Sequence, residues 1–143
     1  MRTALAALAV VVGFGCTPAA PPETPANSSA LFERALVETP VADLLAARVI
    51  ARMLARGCDG VVLHPFVEPR ISGLRQIRPA EFAAITSTPV AAAGRRISNQ
   101  FDVTHQRAFR LDTRRGKPSD ALCAAVLSEA RSNTLLGMML VAT

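Results

Sequence analysis

At 143 residues, half of them apolar, the chain has room for one modest domain, and its alanine-rich apolar content favours helix more than buried area. Trp and Tyr are absent and Phe14, one of six Phe, sits in the N-terminal apolar run, so stacking platforms for sugars or single-stranded nucleic acid are scarce. A formal charge of +5, carried by arginines with Lys117 as the only lysine, suits proximity to anionic lipid or polyanions but does not identify a partner.

Met1-Arg2-Thr3 is a short positive start, and Ala4 to Phe14 is an unbroken apolar run. That length suits the core of a signal peptide and falls short of the roughly 20 residues a spanning helix needs. Pro18, Pro21, Pro22 and Pro25 follow at once and stop helical continuation. The competing reading, a buried first helix of the domain, leaves the Pro/Ala/Ser-rich stretch behind it unexplained. Residues 1–15 are therefore expected to be an export signal and residues 16–29 a tether, with Asn27-Ser28-Ser29 as spacer.

The end of the run, Gly13-Phe14-Gly15-Cys16, resembles the lipobox of bacterial lipoproteins, in which a small residue precedes the cysteine that receives diacylglycerol. Gly15 and Cys16 fit that pattern, whereas Gly13 stands where an aliphatic residue is usual. Cleavage near Thr17-Pro18-Ala19 is the alternative and would discard Cys16. The resemblance implies a lipid-anchored chain. Because Thr17 is not Asp, it also implies the periplasmic side of the outer membrane. Each methylene of an acyl chain adds about 0.8 kcal/mol of membrane affinity, so an anchor of more than one chain holds stably.

Residues 30–143 read as an all-α domain, a bundle of about four helices. A short helix over Ala30 to Glu38 comes first. Thr39-Pro40 carries a start signal, and the helix behind it is expected to run to about Arg56, with Gly57 as a left-handed terminator. Arg48, Arg52 and Arg56 form one polar stripe on it, with Val49, Ile50, Met53 and Leu54 facing the other way. Pro65, Pro69 and Gly73 interrupt residues 59–78, where Val61-Val62-Leu63 reads as a strand fragment or a buried turn. Pro79 to Ile85 reads as a short helix with Phe82 and Ile85 inward.

Thr88-Pro89 repeats the start signal, and Gly116 before Lys117-Pro118 repeats the stop, predicting a helix over residues 89–115. Its apolar stripe comprises Val90, Ala93, Ile97, Phe101 and Ala108. A last helix starts near Ser119-Asp120, Ser119 as cap, and is expected to continue through Leu122, Val126 and Thr134 to Gly137 and Met138. No pair of alternating runs flanks a hairpin turn, so no sheet is expected.

With Cys16 lipidated, Cys58 and Cys123 remain, an even count for an oxidising compartment. Both fall at helix ends and can meet; export favours a disulfide over two buried free thiols. Leu122-Cys123-Ala124-Ala125-Val126-Leu127-Ser128-Glu129-Ala130, followed by Ser132 and Leu136-Gly137, resembles the C-terminal helix of a family of small exported alphaproteobacterial proteins of unknown function. Pro79-Ala80-Glu81-Phe82 echoes that family's middle helix. The resemblance spans the body from Val41 onward. It implies a disulfide-stapled helical domain, with Cys58 as the partner of Cys123, and brings no activity with it.

Arg96, Arg107, Arg110 and Arg114 share one side of the long Arg-rich helix, a face that an acidic protein or anionic lipid could use and that otherwise is simply solvated. Nucleic acid is not expected, because no groove-reading motif accompanies the charge. Glu68, Glu81, Asp120 and Glu129 read as isolated acids, and His64 and His105 lie far apart, in spacings that match no zinc pattern. No catalytic residue, metal or cofactor is assigned. The expected function is that of an envelope-anchored lipoprotein acting as a non-enzymatic interaction or accessory domain. A soluble periplasmic binding or inhibitor domain using the Arg-rich helix is the alternative, and a small hydrolase built on His105 or His64 a third.

Overall fold

The computed structural model describes residues 26–106 and 118–143. Along these residues run α1 (Ala26–Glu38), α2 (Val41–Gly57), β1 (Val61–Leu63), α3 (Val67–Ile77), α4 (Pro79–Ala83), α5 (Ser87–His105) and α6 (Asp120–Glu129). A turn of 3₁₀ helix, Gly137–Met139, leads into β2 (Leu140–Ala142). The body is mostly helical, as expected, with six α-helices among the described residues rather than about four. It is not all-α. β1 and β2 pair antiparallel, Val61 opposite Ala142 and Leu63 opposite Leu140.

α2 lies at the centre and touches α3, α5, α6, β1 and the 3₁₀ turn. Its position explains its composition. Leu44, Ala47, Ala51 and Leu54 recur at helical spacing and are buried, and Ala46 and Ile50 widen that face for a second neighbour. Val49 and Met53 were expected inside with them but are 56% and 44% exposed. They stand beside the arginine stripe, because the buried arc turns toward α5 and β1.

The ends of α2 also depart from expectation. Pro40, not Thr39, occupies the cap position in an extended conformation (φ −54°, ψ 138°), and no side chain caps the helix. The Pro40 carbonyl instead accepts from Asp43 and Leu44 N–H at 3.0 and 3.2 Å. Gly57 is the last helical residue rather than a left-handed terminator, and the extended Cys58 follows it. What Gly57 supplies is space: a Cβ there would stand 2.6 Å from Pro118 Cγ. Gly60, at φ 81°, takes the left-handed turn that leads into β1.

α3 forms despite Pro69 and Gly73. Pro69 is the third residue of the helix, within the first turn, where an N–H has no intrahelical acceptor. Its apolar positions Val67, Ile71 and Leu74 repeat at helical spacing and are fully buried. α4 begins at Pro79 and is shorter than expected, but Phe82 and Ile85 do pack against the core. Arg78 ties the α3–α4 corner to the α1–α2 junction. Its Nη1 donates to the carbonyls of Leu36 and Thr39 at 3.0 and 2.6 Å, while Nε and Nη2 grip Glu81.

α5 buries Ala93 and Phe101 and half-buries Val90 and Ile97, as its stripe predicts. It opens at Ser87 behind Thr86, and ends at His105 rather than continuing to Arg115. Gln106 adopts the left-handed conformation (φ 50°, ψ 45°), and its N–H caps the carbonyl of Asp102. Ala108, Gly116 and Lys117 lie outside the described residues.

α6 starts where expected: the Ser119 hydroxyl accepts from Leu122 N–H at 3.1 Å. It stops at Glu129, so Thr134, Gly137 and Met138 are not helical continuation. They belong to a reversal that carries Leu136, Met139 and Leu140 into the core and returns the chain to β1.

Candidate functional site

Two arrangements concentrate the polar chemistry of the described residues. One is an open cleft of about 400 Å³ lined by Arg52, Ala55, Arg56, Val62, Leu63 and Glu68. The repeat of arginine at every fourth position of α2 sets one wall. Glu68, in the first turn of α3, is drawn to it: Arg48 Nη1 stands 3.5 Å from Glu68 Oε2, and Arg52 Nε lies 3.4 Å from Glu68 Oε1. Glu68 Oε1 and Arg48 Nε are buried atoms without a hydrogen bond, so these pairs neutralise charge more than they satisfy donors. Arg56 makes no ion pair with any described residue. Val62, 46% exposed, adds an apolar edge.

At the mouth of α3, His64 stacks on Phe66 with ring centroids 3.6 Å apart, and Phe66 in turn meets Phe32 at 4.8 Å. His64 Nδ1 is buried without a partner, and burial lowers the pKa of the imidazole below 6.5. This ring is an aromatic spacer, neutral at pH 7.

The second arrangement is a buried polar knot. His105 Nε2 donates to Glu129 Oε2 at 2.6 Å, both side chains nearly sealed from solvent (11% and 4% exposed). The Thr134 hydroxyl donates to Glu129 Oε1 and accepts from Gly137 N–H at 2.9 Å. Ser132 Oγ lies 2.9 Å from that same hydroxyl. The Thr134 proton thus goes to the carboxylate, not to the imidazole, and no nucleophile–base pair of the hydrolase type results. The knot ties the end of α5 to the C-terminal reversal.

Cys58 and Cys123 are joined, with an S–S distance of 2.02 Å and Cα atoms 5.2 Å apart. Arg96 is engaged by Asp43 at 2.5 Å and bridges α5 to α2. Arg107, Arg110 and Arg114, with which it was expected to form an anionic-partner face, lie outside the described residues, as does Cys16. Among the described residues no three His, Cys, Asp or Glu side chains converge as a metal site requires, and no helix is long and apolar enough to cross a membrane.

Sequence reasoning found the arginine stripe but missed its carboxylate, because Glu68 lies between Pro65 and Pro69, just past a turn. It also missed the knot. The signal for Glu129 was present: it falls on the apolar stripe of α6, seven residues after Leu122 and three after Val126, where a carboxylate needs a partner. Compared with protein-family models, curated proteins and solved structures, the chain matches none.

Proposed function

We propose that this chain is an exported lipoprotein, anchored through Cys16 to the periplasmic side of the outer membrane, whose small helical body serves as a non-enzymatic interaction or accessory domain. The observation that carries this reading is the Cys58–Cys123 bridge. Disulfides persist in oxidising compartments and stabilise small domains whose cores are modest. The apolar run Ala4 to Phe14 and the small-residue Gly15-Cys16 junction supply a route to such a compartment. The non-enzymatic part is supported by the way both histidines are spent, His64 in a stack and His105 on a carboxylate that also takes the neighbouring hydroxyl.

Mass spectrometry of the mature N-terminus in a bacterial envelope, with and without globomycin, tests the reading. The expected result is a diacylated Cys16 as first residue and accumulation of the longer form under the inhibitor. A mature chain starting after Cys16 would favour the soluble periplasmic alternative. A chain that keeps Met1 in the cytoplasm, thiols reduced, would overturn export altogether.

A further inference from the structure

β1 has one edge on β2 and another that no strand among the described residues covers. His64 N–H bonds to Met139 O at 2.8 Å and Thr143 N–H to Gly60 O at 2.9 Å. In an antiparallel ladder with Val62 opposite Val141, those flanking bonds make Val62 the residue paired through its backbone. Val61 and Leu63 consequently turn their N–H and C=O groups away from β2. Val61 is closed off, at 2% exposure, but Leu63 is only half-buried.

The cleft lies along this edge. Side chains of adjacent strand residues point to opposite faces, so a cleft lined by both Val62 and Leu63 approaches β1 edge-on. Beyond Leu63 the next outward position is Pro65, which has no N–H, so only a short guest segment can pair there.

We propose that this edge docks an extended acidic segment of a partner protein, its backbone pairing with Leu63 and its carboxylates meeting Arg52 and Arg56. The inference rests on reading the domain as an interaction module and names the partner's chemistry. Charge selects the guest. The cleft is lined by two guanidiniums, Arg52 and Arg56, and one carboxylate, Glu68, which Arg52 and the neighbouring Arg48 already bracket. A second copy of this chain pairing edge to edge would bring two arginine walls together, and like charges across a strand pair are unfavourable. Strand addition supplies affinity through the main chain, and flanking side chains supply selectivity.

Nuclear magnetic resonance of the oxidised full chain provides the test. The probes are a blocked pentapeptide of alternating threonine and glutamate, its lysine counterpart, the acidic peptide N-methylated at its central amide, and decanoate as an anionic amphiphile. The acidic peptide is expected to shift the Val62, Leu63 and Arg56 amides and to slow exchange at Leu63. Arg56→Gln, which breaks no ion pair among the described residues, is expected to weaken binding about tenfold. N-methylation is expected to weaken it at least as much. Failure of the acidic peptide to bind overturns the proposal. So does equal binding of the lysine or N-methylated peptide, indifference to Arg56→Gln, or occupation of the cleft by decanoate but not peptide. None of these readouts depends on the mature N-terminus, so docking and lipid anchoring fail separately.

Discussion

His105 Nε2 meets Glu129 Oε2 at 2.6 Å, joining the last residue of α5 to the last residue of α6 inside the protein. Removing one member of a buried, hydrogen-bonded pair strands the other, which costs more than the pair itself contributes. Glu129→Ala is expected to lower unfolding free energy by roughly 3 kcal/mol in urea titration, since it also frees the Thr134 hydroxyl and the imidazole. A loss below about 1 kcal/mol would mean that the knot is dispensable.

The disulfide spans a sequence separation of 65, and closing a loop of that size restricts the unfolded chain by about 4 kcal/mol on the chain-entropy account. The Cys58→Ala/Cys123→Ala double variant is expected to lose most of that, with a matching fall in Tm, and dithiothreitol should reproduce the loss in the parent. Two reactive thiols in the denatured, non-reduced body, Cys16 not counted, would contradict the bridge.

Glycines here divide by what surrounds them. A Cβ at Gly137 would collide with the carbonyl of Glu129 and the hydroxyl of Ser132, and would stand 2.6 Å from the Ser132 carbonyl. Gly137→Ala is therefore expected to destabilise by roughly 1–3 kcal/mol. Gly94, mid-helix in α5, has nothing within 4 Å of that position. Gly94→Ala should stabilise by roughly 0.5–1 kcal/mol through helix propensity and a less flexible unfolded chain. Opposite signs in thermal melts are the expected outcome, and equal signs would reject this account of the reversal.

Burial lowers the His64 pKa in the folded protein, while the unfolded chain keeps the ordinary value of 6.5. Above 6.5 both states are neutral at this residue and stability is unaffected by it. As pH falls below 6.5 the unfolded state takes up the proton first, so stability declines until pH passes the lower, folded value. His64→Phe keeps an aromatic ring against Phe66 and should flatten this part of the profile relative to the parent. An identical slope in parent and variant would exclude His64 as the source.

Much of the helical layout was legible because its determinants are local. The four-residue recurrence of Arg48, Arg52 and Arg56, the Ser119-Asp120 start and the two body cysteines each speak within a few neighbours. The C-terminus was not legible on those terms. Leu136 to Ala142 is apolar enough to extend a helix, and only Val61 to Leu63, far away in sequence, offers the pairing that makes Leu140 to Ala142 a strand.

From its residues alone the protein was bound to be a small, helix-rich, arginine-biased body with a cysteine at each of two helix ends. Tertiary contacts alone decided three further things: that Val49 and Met53 face outward, that Glu129 shares its buried carboxylate with His105 and Thr134, and that β1 comes to line one cleft with Arg52 and Arg56. Periodicity tells which residues share a face. Which face is covered depends on what distant segment comes to lie against it, and that is a property of the whole chain.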